Sequence, residues 1–121
     1  MISVCIPVYN QDVRLLAGEL VKQLEQLQVP AELFLLDDKS AESYRSMNRK
    51  TASWNKVRYE ELQANHGRAR IRNVLARRAR YNWLLFLDCD VRLPDSRFMQ
   101  NYLEAIQDGN AVICGGHTYP Q

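Results

Sequence analysis

The fold of this chain is constrained most by an alternation of short apolar segments with longer amphipathic ones. Five short segments have the apolar, β-branched or aromatic character of strands, and they are 2–8, 32–36, 56–60, 83–87 and 111–114. The segments between them have helical periodicity or composition, and the predicted helices are 13–29, 41–51, 67–80 and 96–107. This order predicts one α/β domain over residues 1–121, with a Rossmann-like, mainly parallel sheet covered by helices on both faces.

Polar side chains follow three of the predicted strands, at the point where each strand ends. They are Tyr9 with Asn10, Asp37 with Asp38, and Asp88 with Asp90. Because parallel strands bring their carboxyl ends to one edge of the sheet, these residues are expected to converge. Ligands of such sheets bind in the crevice outside that edge, so the sequence predicts a binding site there.

Composition narrows the classes of protein but does not select one. The chain is 46% hydrophobic and 25% charged, with a net charge of +2, which is ordinary globular composition. No apolar run approaches the roughly 20 residues of a membrane span, and the first residues do not resemble a signal peptide. We therefore expect a cytoplasmic protein whose membrane association, if any, comes through regions outside this sequence. Three cysteines without C-x-x-C spacing suggest reduced thiols.

The sharpest chemical signal is the segment Asp88-Cys89-Asp90. Alternate residues of an extended strand end point the same way, so both carboxylates can face one cation. Mg²⁺ or Mn²⁺ held by one or two carboxylates completes its shell with water and substrate phosphate. The two acids should also repel a thiolate at Cys89 and raise its pKa, which argues against a nucleophilic role for that thiol.

Two further segments allow more than one interpretation. Asp37-Asp38-Lys39-Ser40 predicts a helix cap, with Ser40 as the capping residue, and its second acid can instead bind a nucleobase or ribose. The segment 65–73 opens a helix with Gly67, and a helix N-terminus attracts anions such as pyrophosphate. The arginines of this helix surround it instead of forming a stripe, so nucleic acid is not expected as a partner.

Taken together, these segments resemble the inverting glycosyltransferases of family 2, which have the GT-A fold. The resemblance is carried by four motifs in order: VCIPVYN at 4–10, LDDKS at 36–40, N-x-G at 65–67 with Arg72 and Asn73, and FLDCD at 86–90. Lys39 stands where the family usually has Gly or Asn, and Ile71 where it often has Ala. The motifs span nearly the whole chain, which makes the set far more specific than any one of them.

The resemblance implies a role for each matching residue in binding a nucleoside diphosphate sugar, expected to be a UDP-sugar. The implied nucleotide-sugar-binding residues are Pro7, Tyr9, Asn10, Asp38, Gly67, Arg72 and Asp88. Pro7 and Tyr9 would form a wall around the base, which Asp38 would bind. Asp88 would lie near the ribose and sugar. Asp90 would be the principal ligand of Mg²⁺ or Mn²⁺, with Asp88 beside it, while Arg72 would bind the donor or support the site.

The same resemblance implies a part of the enzyme that this sequence does not supply. Inverting transfer needs a general base for the acceptor hydroxyl, and the family provides it from the half of the domain that follows the D-x-D motif. We therefore expect the base after Gln121, and a chain that binds donor but is catalytically incomplete. The acceptor, a carbohydrate or lipid-linked one in polysaccharide biosynthesis, would bind the absent half. An open sheet edge would favour self-association.

Two other functions remain compatible with the residues alone. A nucleotidyltransferase would share the alternating sheet and acidic metal site, although such enzymes usually carry a Gly-rich basic loop after the first strand. A noncatalytic binding module would use the arginine-rich helix to contact an acidic partner or nucleic acid, and its binding would fall steeply with salt. Such a module gives no reason for acids after two apolar strands.

Overall fold

A computed structural model describes residues 1–109 as four strands and four α-helices in alternating order. The strands are β1 (Ile2–Val8), β2 (Ala31–Asp37), β3 (Val57–Glu61) and β4 (Trp83–Phe86). The helices are α1 (Arg14–Gln26), α2 (Glu42–Asn48), α3 (Arg68–Arg78) and α4 (Phe98–Gln107), and a 3₁₀ turn (Arg49–Ser53) follows α2. The predicted strand at 111–114 lies outside the described residues.

The four strands form one parallel sheet in the order β3-β2-β1-β4. In the central pair, Ile2 is opposite Ala31 and Val8 is opposite Asp37, so β1 and β2 end at the same level. Each strand is linked to the next by a helical crossover, as the alternating sequence requires. The predicted parallel α/β architecture is confirmed, and its carboxyl ends share one edge.

Helices cover both faces of this sheet because the buried strands are apolar on both sides. On one face, alternate strand residues such as Val4 and Leu33 pack with α1 and α4 in a buried cluster. On the other face, Cys5 and Phe34 pack with the buried residues of α3, which are Ile71, Val74 and Leu75. The sheet is thus a rigid platform from which the loops at its carboxyl edge project.

The helix predicted at 41–51 is shorter than expected, and its predicted cap is wrong. The α-helical part ends at Asn48, and Ser40 makes no capping hydrogen bond. Instead, Ser40 Oγ accepts a hydrogen bond from the backbone N–H of Asn10, while Asn10 Oδ1 accepts one from the N–H of Ala41. These two bonds tie the start of α2 to the loop after β1, about thirty positions earlier in the chain, and a local capping pattern does not reveal them.

Among residues 1–109, no helix has both the length and the apolar character needed to cross a bilayer.

Candidate functional site

The loops after β1, β2 and β4 lie side by side at the carboxyl edge of the sheet. The N–H of Asp38 donates to Val8 O at 2.8 Å, and the N–H of Leu87 donates to Cys5 O at 3.1 Å. Beyond that point, the backbone of Tyr9 lies beside the thiol of Cys89 and lowers its pKa. Since β1 lies between β2 and β4, Tyr9 stands between the acids that follow the two neighbouring strands.

Asp38 is buried, and its carboxylate holds the loop that leads into α3. Oδ1 accepts a hydrogen bond from the N–H of His66 at 2.6 Å, and Oδ2 accepts one from the N–H of Gly67 at 2.9 Å. The carbonyl of Asp38 also accepts from Asn65 Nδ2. A carboxylate has about four acceptor positions, so two remain for a ligand group that reaches it.

Asp37 is fully buried and does not line the crevice. Its Oδ2 accepts the N–H of Ser40 at 2.8 Å and thereby shapes the turn after β2. Within residues 1–109, its Oδ1 has no hydrogen-bond partner. The first acid of the Asp37-Asp38 pair is therefore a structural residue, and only the second is placed to meet a ligand.

Gly67 begins α3 in a backbone conformation that other residues rarely adopt. Its φ is 81° and its ψ is 166°, and no side chain caps this end of the helix. A Cβ added here would meet no atom of residues 1–109 within 4 Å, so within this part of the chain the requirement is conformational and not one of space. Asp38 bonds the N–H groups of His66 and Gly67, just before α3. The N–H groups of the first turn of α3, which have no partner within the helix, therefore lie at the carboxyl edge of the sheet.

Asp88 and Asp90 follow β4 and, unlike the acids after β2, are exposed to solvent. Asp88 has 61% of its side chain accessible, and its Oδ1 lies 3.7 Å from Arg72, a loose ion pair. Arg72 is itself half exposed, with its guanidinium 5.8 Å from the ring centre of Phe86. The arrangement brings Arg72 to the D-x-D segment, as a donor-binding or supporting residue would require.

These two carboxylates fit a divalent cation only as part of a mixed ligand set. Nowhere in the described range 1–109 do three or more His, Cys, Asp or Glu side chains form a group able to hold a metal. Mg²⁺ and Mn²⁺ accept one or two carboxylates when phosphate and water complete the shell. The chemistry of Asp88 and Asp90 therefore suits a cation that arrives with a diphosphate.

Cys89, between the two acids, has a thiol pKa above its ordinary value. The predicted direction is confirmed, but the main cause is burial of the side chain. The backbone of Tyr9 opposes the rise in pKa, and repulsion by the charges of Asp90 and Asp88 adds smaller contributions to it. A thiol that resists ionisation is a poor nucleophile. Cys89 instead lines one cleft with Gln11 and Asp12, where the segment after β4 meets the loop after β1.

The residues after β1 form the exposed part of the site. Tyr9 is 53% exposed, and Asn10 adopts the left-handed region with φ 48°. Pro7 is half-buried and pairs with Leu36 in the sheet. A cleft of about 250 Å³ lies where this loop and α1 meet the segment after β4, and its lining residues are Gln11, Asp12, Leu15, Leu16, Glu19, Cys89, Asp90, Val91 and Arg92.

One residue at this edge gave no signal in the sequence. Asn48, the last residue of α2, is fully buried and makes two hydrogen bonds to the backbone of the loop after β1. It lies in the segment whose apolar periodicity was weakest. Only the structure shows that this Asn is buried, and buried polar side chains are almost always bonded to a specific partner.

Comparison with known proteins identifies the family. The family described as glycosyl transferase family 2 matches residues 3–121. Chondroitin synthase of Escherichia coli is 30% identical over 98% of this chain, and chondroitin synthase of Pasteurella multocida (strain Pm70) is 29% identical over 98%. The chain spans 17% and 12% of the lengths of these two relatives.

Solved structures show the same fold. S. aureus TarS in complex with UDP-GlcNAc superposes with a TM-score of 0.69 at 22% identity, over 99% of this chain and 37% of that one. The mannosyltransferase PcManGT from Pyrobaculum calidifontis, in complex with GDP-Man and Mn²⁺, gives a TM-score of 0.71 at 21% identity, over 89% of this chain and 32% of that one. By its GT-A fold and by the family match over nearly its whole length, the chain belongs to glycosyl transferase family 2.

Proposed function

We propose that this chain is the donor-binding part of a glycosyltransferase that uses a nucleoside diphosphate sugar, with UDP as the nucleotide. The observation that supports this best is the exposed pair Asp88 and Asp90, placed beside Tyr9 at the carboxyl edge of a parallel sheet. Because these carboxylates are exposed, they reduce the stability of the fold only slightly, and a cation can reach them. The match to glycosyl transferase family 2 also supports this function.

In this proposal the base lies on the β1–β2 side of the crevice and the diphosphate on the β4 side. Pro7 and the exposed ring of Tyr9 form the wall against the base, and Asp38 accepts from it with the acceptor positions that the α3 loop leaves free. Asn10 and Gly67 border the nucleotide through their backbone. Asp88 bonds the ribose and the sugar.

Asp90 and Asp88 would hold Mg²⁺ or Mn²⁺ together with the diphosphate. When bound, such a cation neutralises charge on the nucleoside diphosphate as it leaves. Arg72 adds a fixed positive charge beside Asp88 and can move from that loose pair to a phosphate oxygen. PcManGT is described with Mn²⁺ and TarS with UDP-GlcNAc, and these descriptions motivate the choice of metal and nucleotide tested below.

The transfer itself we propose to invert the anomeric carbon, with the acceptor hydroxyl deprotonated by a general base. Following the family resemblance, we assign that base to the part of the domain after Gln121 and to none of residues 1–109. The described part of the chain therefore binds donor without turning it over. The two chondroitin synthases suggest a carbohydrate acceptor and a role in polysaccharide synthesis.

Calorimetry with UDP tests the proposal. With Mn²⁺ present the chain is expected to bind UDP, and removal of Mn²⁺ by EDTA should weaken binding by at least tenfold, because the diphosphate then faces Asp88 and Asp90 without a neutralising cation. GDP is the matched ligand, since it carries the same diphosphate on a different base. Equal binding with and without Mn²⁺ would contradict the metal assignment, and no binding of either nucleotide would contradict the function.

A noncatalytic role for α3 in nucleic-acid binding is a weaker second candidate. Arg72 is paired with Asp88 and Arg78 with Glu60, so the arginines of α3 do not form a continuous row of unpaired charges that could follow a phosphate backbone. Titration with single- and double-stranded nucleic acid at two salt concentrations separates the two functions, because phosphate contacts weaken steeply with salt. Binding that exceeds the affinity for UDP would favour this second function.

A further inference from the structure

The loop after β1, residues 9–13, carries Tyr9 and Asn10 but does not hold itself in place. Three of its backbone polar groups are bonded to side chains that come from the segment 40–48, after β2. Ser40 Oγ accepts from the N–H of Asn10 at 2.8 Å. The carbonyl of Gln11 and the N–H of Val13 are both bonded by Asn48.

Asn48 is the centre of this arrangement. Its Nδ2 donates to Gln11 O at 2.8 Å, and its Oδ1 accepts from Val13 N at 3.0 Å, so both ends of one carboxamide are used. The side chain is fully buried, where an unmatched polar group is costly. Val13 is also the residue that precedes α1, and α1 has no side-chain cap of its own. Asn48 thus fixes the loop and the start of α1 together.

A second buried polar residue, Thr51, bonds the backbone of Asn48 and not its side chain. Thr51, also fully buried, donates from Oγ1 to the carbonyl of Asn48 at 2.7 Å, in the 3₁₀ turn that follows α2. This contact orders the end of α2 without touching the loop. Thr51 therefore offers a control in which the same segment is weakened but the two bonds from Asn48 to the loop remain.

We propose that Asn48 is a positioning residue for donor binding, which holds residues 9–13 so that Tyr9 and Asn10 border the crevice. This inference rests on the proposed function, because it concerns the same crevice. Asn48 lies behind the loop and does not touch the donor. Its effect is to reduce the conformations that the loop samples before binding, and such preorganisation adds to affinity without adding a contact.

The substitution Asn48→Asp gives a readout that a purely structural role would not produce. A protonated aspartic acid can donate from O–H to Gln11 O and accept from Val13 N, as the carboxamide does. An ionised carboxylate can accept only, so it is repelled by Gln11 O and releases the loop. Affinity of the variant for UDP should therefore approach that of the unsubstituted chain at low pH and fall as the pH rises.

The experiment measures the Kd for UDP with Mn²⁺ between pH 5 and pH 8, always as the ratio of variant to unsubstituted chain. Taking the ratio removes the titration of UDP and of the metal ligands, which both proteins share. For Asn48→Asp the ratio should rise by about tenfold across this range, as expected for the loss of one or two buried hydrogen bonds. For Asn48→Ala it should be about tenfold at every pH.

Thr51→Val is the matched control, because it removes one buried hydrogen bond from the same segment. It should lower the thermal midpoint, yet its Kd ratio should stay within about twofold of one at every pH. All Kd values are taken well below the lowest midpoint, so that every protein is folded.

Two failures can be told apart. If the unsubstituted chain binds UDP but the Asn48→Asp ratio does not depend on pH, or matches that of Thr51→Val, the assignment of Asn48 is overturned and the proposed function stands. If the unsubstituted chain binds no UDP, the proposed function falls, and the role of Asn48 in donor binding falls with it.

Discussion

β2 and β4 both end in two acids, and the two pairs lie in opposite environments. Asp37 and Asp38, after β2, are buried and bonded to backbone N–H groups of neighbouring loops. Asp88 and Asp90, after β4, are exposed, with one loose contact to Arg72. β2 lies between β1 and β3, whereas β4 has only β1 beside it within residues 1–109. The acids after the buried strand β2 thus hold neighbouring loops, with only the remaining acceptor positions of Asp38 left for a ligand, whereas both acids after β4 are open to one.

An Asp→Asn substitution after β2 and after β4 should separate these roles. The largest effect on the free energy of unfolding is expected at Asp38. In Asp38→Asn, one oxygen that accepts a backbone N–H becomes an NH₂ group that cannot accept. Loss of a charged, buried acceptor of two hydrogen bonds should lower the free energy of unfolding by about 3 kcal/mol. Chemical denaturation measures it. A loss below about 0.5 kcal/mol would contradict the scaffold role.

Asp90→Asn should show the reverse behaviour. Because the side chain is exposed, the free energy of unfolding should change by no more than about 0.5 kcal/mol. Affinity for UDP in Mn²⁺ should fall about thirtyfold, the middle of the range for a perturbed metal site. Asp88→Asn should weaken UDP binding and should reduce its dependence on Mn²⁺ less than Asp90→Asn does. If Asp90→Asn instead unfolds the chain, the contrast between structural acids after β2 and ligand-binding acids after β4 is wrong.

Gly67→Ala tests whether the backbone conformation just before α3, which Asp38 holds, requires glycine. Ala is strained at φ 81° and ψ 166°, so the free energy of unfolding should fall by about 1.5 kcal/mol, although nothing crowds the added methyl group. Gly18→Ala is the matched change inside α1, where the new Cβ would lie 3.9 Å from Trp54. That change should stabilise by about 0.5 to 1 kcal/mol. If both substitutions changed the free energy of unfolding in the same direction, the claim that Gly67 is required for its backbone conformation would be refuted.

The smallest effect concerns Lys39, at the turn after β2. Its φ is 60°, a left-handed conformation that Asn tolerates better than Lys. Lys39→Asn should stabilise by about 0.5 kcal/mol after loss of the exposed Nζ contact to Gln63 O. Lys39→Ala keeps the strain and loses the contact, so it should destabilise. Denaturation midpoints of the two variants compare them directly.

The sheet could be predicted from the sequence because each described strand is a short apolar or β-prone run whose limits are visible locally. The four described strands begin and end within one residue of their predicted limits, for example Val57–Glu61 against 56–60. The convergence of polar strand ends also followed, since parallel order alone dictates it.

The environment of each acid could not be predicted in the same way. Asp38 and Asp90 follow equally apolar strands, and what distinguishes them is the number of neighbours that each strand has in the sheet formed by residues 1–109. Ser40 and Asn48 were missed or misassigned for a related reason. Their partners lie 30 to 37 residues earlier in the chain, so a capping pattern read locally gives the wrong hydrogen bonds.

The central claim, that the free acids after β4 bind the cation of a metal–diphosphate complex, is tested most directly by paramagnetic broadening. Backbone amide spectra of the chain with UDP and a small fraction of Mn²⁺ in Mg²⁺ report which residues approach the metal. The account predicts the strongest broadening at residues 88–92 and at Tyr9 and Asn10, and its loss in Asp90→Asn. Broadening centred away from the end of β4, or unchanged in that variant, would contradict it.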